Sequence, residues 1–223
     1  MKTVVAIYTA MAVGLMADIK QMVAEEIPDC RLINIADDSL IQDVIKAGGP
    51  TINVTRRLLD YYRAAEDAGA DVILNTCSSI GEIAEMGRKS AKVPLVKIDD
   101  AMALKAVNMG SRVGVIATLP TTLGPTVRLV QSQAKKIDKS VTVVEGLAVG
   151  AFEALMSGDA EKHDALILQT AKDIADKVDV IVLAQGSMAK MQDKLAQATG
   201  KPVLSSPRLG VQEVRDILKG ATQ

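Results

Sequence analysis

Aromatic side chains are scarce in this chain, with one Phe, three Tyr and no Trp among 223 residues. Stacking platforms for nucleic-acid bases need such rings, so the composition argues against a protein that binds single strands. The formal net charge of −1 gives no electrostatic footprint for nucleic acid or for an anionic membrane. We therefore expect neither partner, and we expect a core of aliphatic side chains and methionine.

Cysteine is also rare, and Cys30 and Cys77 lie in such different settings that they do not predict a disulfide framework. No apolar run is long enough to span a bilayer. The first apolar run continues into a patterned segment without a cleavage site typical of a signal peptide. The sequence therefore predicts a cytoplasmic protein.

The only histidine, His163, lies in the polar stretch Glu161–Asp164, which predicts a solvent-exposed position on a helix. A single histidine disfavours most zinc sites and a Ser-His-Asp triad. No Gly-x-Gly-x-x-Gly follows the first predicted strand, and Gly48-Gly49-Pro50 lacks the Lys-Ser/Thr ending of a phosphate loop. These residues disfavour a zinc site, a dinucleotide cofactor and a phosphate loop.

Short β-branched runs alternate with longer helical patterns, which is typical of parallel sheets with crossover helices. Continuous apolar runs such as Val180–Leu183 indicate strands that are covered on both faces. The predicted strands are Thr3–Tyr8, Cys30–Ile35, Asp71–Asn75, Leu95–Lys97, Arg112–Ala117, Val141–Glu145, Asp179–Ala184 and Val203–Ser205.

An internal repeat links the two parts of the chain. Asp71–Ser79 aligns without a gap on Asp179–Ser187 at an offset of 108 residues, and Ala6–Thr9 aligns on Val115–Thr118 at an offset of 109. We interpret this as a duplication into two similar three-layer α/β halves with parallel sheets, residues 1–105 and 106–223, with a crossover of the last helices left open. The active site is expected in the cleft between the halves.

Ligands of open parallel sheets bind beyond the carboxyl ends of the strands, where the free amides of helix N-termini favour an anion. Small hydroxyl residues occur in all four of the turns that we place there. This pattern predicts a small carboxylate substrate. The turns are Thr9-Ala10-Met11, Asn75–Ser79, Thr118–Thr122 and Ala184–Ser187, and the candidate binding residues are Thr9, Asn75, Ser78, Ser79, Thr118, Thr121, Thr122, Gln185 and Ser187.

Cys77 is the only group in these turns that can transfer a proton or act as a strong nucleophile near neutral pH. A free thiol has a pKa of about 8.5, and a helix N-terminus lowers it. Many cysteines are merely small buried apolar residues. The polar neighbours of Cys77 favour the reactive role, whereas Cys30 opens an apolar strand and fits the structural one.

These residues resemble the aspartate/glutamate racemase superfamily, which includes hydantoin racemases, maleate isomerases and arylmalonate decarboxylases. The resemblance spans nearly the whole chain and implies cofactor-independent chemistry, with one catalytic cysteine after the equivalent strand of each half. Cys77 matches the first cysteine position. The motifs that carry the resemblance are Asp71-Val-Ile-Leu-Asn-Thr-Cys77, Gly114-Val-Ile-Ala-Thr118 and Asp179-Val-Ile-Val-Leu183.

The second cysteine position is occupied by Gln185, which can form hydrogen bonds but has no useful proton to transfer. Two-base racemisation needs a titratable group on both faces of the substrate. The resemblance implies a racemase or isomerase acting at the carbon α to a carboxylate, whereas the missing second thiol favours one-sided chemistry such as decarboxylation. A single-cysteine decarboxylase of a malonate-type acid, covalent catalysis by Cys77 and a carboxylate-binding protein without activity stay open, as does a homo-oligomer by analogy of fold.

Overall fold

Eight strands form the framework of the computed structural model, which describes residues 1–10 and 13–220. Each strand lies within two residues of its predicted position at both ends, which confirms the assignment from β-branched runs. The strands are β1 (Lys2–Tyr8), β2 (Cys30–Ala36), β3 (Val72–Asn75), β4 (Leu95–Lys97), β5 (Arg112–Ala117), β6 (Thr142–Leu147), β7 (Val180–Leu183) and β8 (Val203–Ser205).

Helices connect the strands, and polar caps fix where some of them begin. The Thr51 hydroxyl accepts a hydrogen bond from the Val54 amide at 3.2 Å, and the Asp159 carboxylate accepts one from the Lys162 amide at 3.0 Å. The helices are α1 (Val13–Glu26), α2 (Ser39–Ala47), α3 (Ile52–Asp67), α4 (Gly81–Arg88), α5 (Asp100–Met109), α6 (Pro120–Lys136), α7 (Ala151–Met156), α8 (Ala160–Ala175), α9 (Gln192–Thr199) and α10 (Ser206–Gly220). Two 3-10 segments, Ser78–Ile80 and Gly186–Met191, precede α4 and α9.

The strands form two parallel four-stranded sheets of the same topology. The order is β2-β1-β3-β4 in the first and β6-β5-β7-β8 in the second. The first compact unit combines Met1–Asp99 with the segment that begins at Pro207, and the second unit spans Asp100–Ser206. The predicted α/β fold with duplicated parallel sheets is therefore confirmed.

Side chains of the first sheet alternate between two apolar layers. Val5 and Ile7 face a cluster with Leu58 of α3, whereas Val4 and Ala6 face a cluster with helices α1 and α10. Strands covered on both faces consist of apolar residues without alternation in polarity, as the continuous runs in the sequence predict. In the second unit, strands β5 and β7 pack against α8 in the same way.

In both units, an aspartate just before the third strand accepts hydrogen bonds from the first strand, and we call this arrangement the aspartate clamp. Asp71 precedes β3 and accepts a hydrogen bond from the Thr3 amide of β1 at 2.7 Å. Asp179 precedes β7 and accepts one from the Arg112 amide of β5 at 2.9 Å, together with the Arg112 guanidinium at 2.6 Å. Because the two clamps join equivalent strands, they give the duplication a structural basis beyond the shared strand order.

Candidate active site

The Cys77 turn begins where β3 ends. The backbone stays extended at Cys77, with φ −121° and ψ 120°, and then enters the 3-10 segment Ser78–Ile80. Thr76 fixes the turn to the neighbouring strand, because its amide and its hydroxyl both donate to the carbonyl oxygen of Ile7, at 3.1 and 2.8 Å. Cys77 is thus presented at the carboxyl end of the first sheet, as the sequence predicts.

Four hydrogen-bond donors close to Cys77 act to lower the pKa of its thiol. They are the hydroxyls of Thr9 and Ser79 and the backbone amides of Ser79 and Ile80. Burial is nevertheless the largest influence and raises the pKa of the thiol, while the four donors lower it. The expectation of a lowered pKa is therefore wrong: the helix N-terminus is present, but desolvation of the sulfur outweighs it. The group carries its proton at neutral pH.

Asn75 is buried, and its amide forms hydrogen bonds within the unit. Its Nδ2 donates to the backbone carbonyl of Cys77 at 3.1 Å, and its Oδ1 accepts from the hydroxyl of Tyr62 at 3.1 Å. Sequence reasoning did not include Tyr62. Its helical spacing could have indicated the residue, because Tyr62 lies four residues after Leu58 on the apolar face of α3. A buried tyrosine hydroxyl normally has a hydrogen-bond partner.

Of the other residues predicted in the first unit, Thr9 and Ser79 contact the thiol, and Ser78 is buried beside them in the 3-10 segment. The backbone carbonyl of Thr9 accepts the amide of Ile41 at 3.1 Å, which ties the end of β1 to α2. Met11 of the predicted turn lies outside the described residues.

The equivalent turn of the second unit presents Gln185. Its backbone is extended, with φ −126° and ψ 135°, and a 3-10 segment follows, as at Cys77. The Gln185 Oε1 accepts from the Thr118 amide at 2.7 Å, and its Nε2 donates to the Thr118 hydroxyl at 2.7 Å. Thr118 follows β5 as Thr9 follows β1, so each unit pairs a threonine after its first strand with the residue after its third.

The remaining candidates of the second unit lie at helix starts. Thr121 and Thr122 are in the first turn of α6, and Thr122 is buried. The hydroxyl oxygen of Thr121 is shielded from solvent and has no hydrogen-bond partner in the described residues. Ser187 is exposed in the 3-10 segment that follows Gln185.

His163 is buried, so the prediction of a solvent-exposed position is wrong. The side chain is 1% exposed, and its Nδ1 lies 2.8 Å from Asp164 Oδ1. The physical reason is helical spacing, because His163 precedes Ile167 by four residues and so lies on the apolar face of α8. The polar neighbours in the sequence occupy the other faces of the helix.

Three cationic side chains, Lys97, Arg57 and Arg56, lie in separate positions of the first unit. Lys97 at the end of β4 is buried and pairs with Glu85 at 3.2 Å. Arg57 forms ion pairs with Asp37 and Asp43, and Arg56 is exposed. Within residues 1–10 and 13–220, no three or more His, Cys, Asp or Glu side chains cluster in a way that would hold a metal ion.

The same described part of the chain contains no helix with the length and apolar character needed to span a membrane. Its two α/β units share one strand order. In each unit, a residue with extended backbone follows the third strand and precedes a 3-10 segment; this residue is Cys77 in the first unit and Gln185 in the second. These features define a duplicated parallel α/β protein with a thiol in one unit and an amide at the equivalent position of the other. The chain belongs to the Asp/Glu/Hydantoin racemase family, whose model matches residues 12–214.

Solved structures agree on the fold. Allantoin racemase from Klebsiella pneumoniae is 18% identical with a TM-score of 0.70, over 99% of this chain and 89% of that one. Glutamate racemase from Francisella tularensis in complex with D-glutamate is 15% identical with a TM-score of 0.76, over 99% and 82%. A glycine-to-cysteine mutant of arylmalonate decarboxylase, in a sulfate-associated form, is 18% identical with a TM-score of 0.63, over 98% and 94%. No curated protein sequence matches the chain.

Proposed function

We propose that the protein is a cofactor-independent enzyme of the racemase and isomerase type that acts at the carbon α to the carboxylate of a small acid. Cys77 is the proton donor and acceptor in this proposal. The observation that carries it is the position of Cys77 just beyond the carboxyl end of β3, where the backbone is extended and the 3-10 segment Ser78–Ile80 begins. Membership of the Asp/Glu/Hydantoin racemase family supports the reaction class.

The protonation state of the thiol favours proton donation as its first task. Burial raises the pKa of Cys77, so the resting group is S–H. When the α-carbon of an enediolate takes this proton, the S–H bond breaks, a C–H bond forms and the negative charge moves to sulfur. The hydroxyls of Thr9 and Ser79 and the two backbone amides then stabilise the thiolate. The enediolate forms by the reverse step: the thiolate form of Cys77 takes the α-proton, the C–H bond breaks, the S–H bond forms, and the electron pair stays on the substrate.

The carboxylate of the substrate needs donors that do not lose a proton. Hydroxyls and amides at helix starts meet this requirement, and we assign the role to Ser78, Thr118, Thr121, Thr122 and Ser187. The shielded Thr121 hydroxyl without a partner is the strongest support among them, because a buried polar group without a hydrogen bond is costly. An NH2 group has two N–H bonds, and the bond from Gln185 to Thr118 uses one, so the other is suited to orienting a substrate.

A decarboxylase of a malonate-type acid is the second candidate, and Gln185 favours it. The Gln185 amide cannot transfer a proton, and both of its polar atoms bond to Thr118. Decarboxylation breaks a C–C bond, releases CO2 and leaves the electron pair on the α-carbon as an enediolate. A single acid, Cys77, then completes the reaction, whereas racemisation needs a second group on the opposite face.

The experiment is incubation of the protein in D2O with 2-amino, 2-hydroxy and malonic acids, followed by NMR and chiral analysis. Cys77→Ala is expected to lower turnover about 10³-fold, within the range for a positioned proton-transfer group. Cys30→Ala is the matched control, because that thiol opens an edge strand and is expected to leave turnover unchanged.

Deuterium at the α-carbon with retained chirality, or loss of CO2, would support one-sided chemistry. Racemised product would support the racemase over the decarboxylase and would show that a group other than the Gln185 amide transfers the second proton. Full turnover of the active substrate by Cys77→Ala would refute the proposal.

A further inference from the structure

We propose that Tyr62 and Asn75 form a positioning relay that holds Cys77 in its reactive geometry. Tyr62 donates to Asn75, and Asn75 donates to the backbone carbonyl of Cys77. The relay rests on the proposed function only in treating Cys77 as the reactive group. It gives Asn75 a positioning role in place of the substrate contact expected from sequence.

The relay acts on the backbone at the point where the thiol turn is formed. The Asn75 amide holds the carbonyl of Cys77 while that residue is still extended, and the 3-10 segment starts at the next residue. The backbone donors to the sulfur come from Ser79 and Ile80, two and three residues further on. A change in the orientation of the Cys77 carbonyl therefore moves the sulfur relative to its own donors.

Tyr62 itself is fixed by packing. The residue is 3% exposed, and a Cβ added at Gly87 of α4 would lie only 2.7 Å from two of its ring carbons. The absence of a side chain at Gly87 thus lets α4 lie directly against the ring. The packed ring holds its hydroxyl 3.1 Å from the Oδ1 of Asn75. The pKa of Tyr62 is raised chiefly by burial and then by the nearby Cys77, which places the two groups in one electrostatic environment.

The hydrogen bonds also determine which way the Asn75 amide points. Its Oδ1 must accept from Tyr62, because a tyrosine hydroxyl at this site has a donor to give, and its Nδ2 must donate to a carbonyl that can only accept. Without the Tyr62 hydroxyl, the amide keeps one bond instead of two. We expect the Cys77 turn to loosen and the four donors to stabilise the thiolate less well.

The test measures the thiol directly and does not depend on finding the substrate. The rate of Cys77 alkylation by iodoacetamide is followed against pH, with the labelled peptide identified by mass spectrometry so that Cys30 does not interfere. Tyr62→Phe removes only the hydroxyl and keeps the packed ring. The expected result is a rise of about half a pH unit in the alkylation midpoint, or about threefold slower labelling below it.

Tyr61→Phe is the matched control. Tyr61 lies next to Tyr62 on α3, but its hydroxyl donates to Asp37 at 2.6 Å and not to the relay. The control is expected to leave the alkylation midpoint unchanged. A similar shift in both variants would show a general loosening of α3 and would overturn the relay.

A second variant tests whether Tyr62 acts through Asn75. Asn75→Leu keeps the volume and removes both bonds, so the midpoint is expected to rise at least as far as in Tyr62→Phe, with the fold checked by circular dichroism. In the double variant, the loss of the Tyr62 hydroxyl should add nothing further. Additive shifts, or no shift in either single variant, would refute the relay. Neither result bears on the proposed function, which fails only if Cys77→Ala keeps full turnover.

Discussion

The pair of hydrogen bonds between Gln185 and Thr118 predicts a measurable loss of stability when the amide is removed. In Gln185→Ala, the amide of the buried Thr118 loses its acceptor at 2.7 Å, and the threonine hydroxyl loses its donor at 2.7 Å. An unsatisfied buried donor costs about 1–3 kcal/mol. Gln185 is partly exposed, so water can replace some of the contact, and we expect about 1–2 kcal/mol. For a chain of this length, that free energy corresponds to a decrease in Tm of about 2–8 °C.

The assay is thermal unfolding followed by circular dichroism, with urea unfolding as a second measure. Gln185→Glu is the matched control, because a carboxylate can accept from both the amide and the hydroxyl of Thr118. It is expected to keep most of the lost stability. If Gln185→Ala unfolds at the wild-type temperature, or if the glutamate variant is equally unstable, the argument that this amide closes the second turn is wrong.

Two further predictions concern contacts outside the thiol turn. Gly87→Ala forces a methyl group against the ring of Tyr62, and we expect it to lower the free energy of unfolding by about 1–3 kcal/mol, measured in urea. Gly81→Ala is the control and is expected to be tolerated, because its Cβ would meet only Lys97, at 3.7 Å. Hydrogen bonds from Arg112 lower the pKa of Asp179 to about 2. Asp179→Asn should therefore lose stability at neutral pH, and its difference from the wild type should shrink as the pH falls from about 4 toward 2; a difference that is independent of pH would contradict the clamp.

Much of the fold could be predicted from the sequence because strands of parallel sheets consist of short, continuous runs of β-branched residues. Val180–Leu183 is such a run, and the structure places it as β7. The offset of 108 residues between Asp71 and Asp179 also predicted equivalent positions, and both residues form a clamp on the first strand of their unit. Local pattern and repeat were sufficient here because each strand is a short apolar run that can be recognised without knowledge of its partner, as the pairing of Val4 with Val72 illustrates.

The parts that could not be predicted depend on burial and on contacts distant in sequence. His163 has polar neighbours, yet its spacing from Ile167 places it on the buried face of α8. The direction of the pKa shift of Cys77 results from a balance between desolvation and four donors, and the sequence shows only the helix start. Tyr62 bonds to a residue 13 positions away. No spacing rule connects a residue in the middle of α3 to the end of β3.

The turns that follow the third strand of each unit share the path of the backbone and differ in the side chain at one equivalent position, Cys77 or Gln185. Cys77 and Gln185 have nearly the same backbone dihedral angles, and each is followed by a 3-10 segment. The Gln185 side chain bonds to Thr118, and Thr9, which follows the first strand of the other unit, lowers the pKa of Cys77 as a hydrogen-bond donor. The two turns therefore differ chiefly in the side chain they present, and not in the path of the chain. A thiol at such a position can transfer a proton, whereas an amide can only form hydrogen bonds, so one substitution changes the chemistry available to the turn without a change of fold.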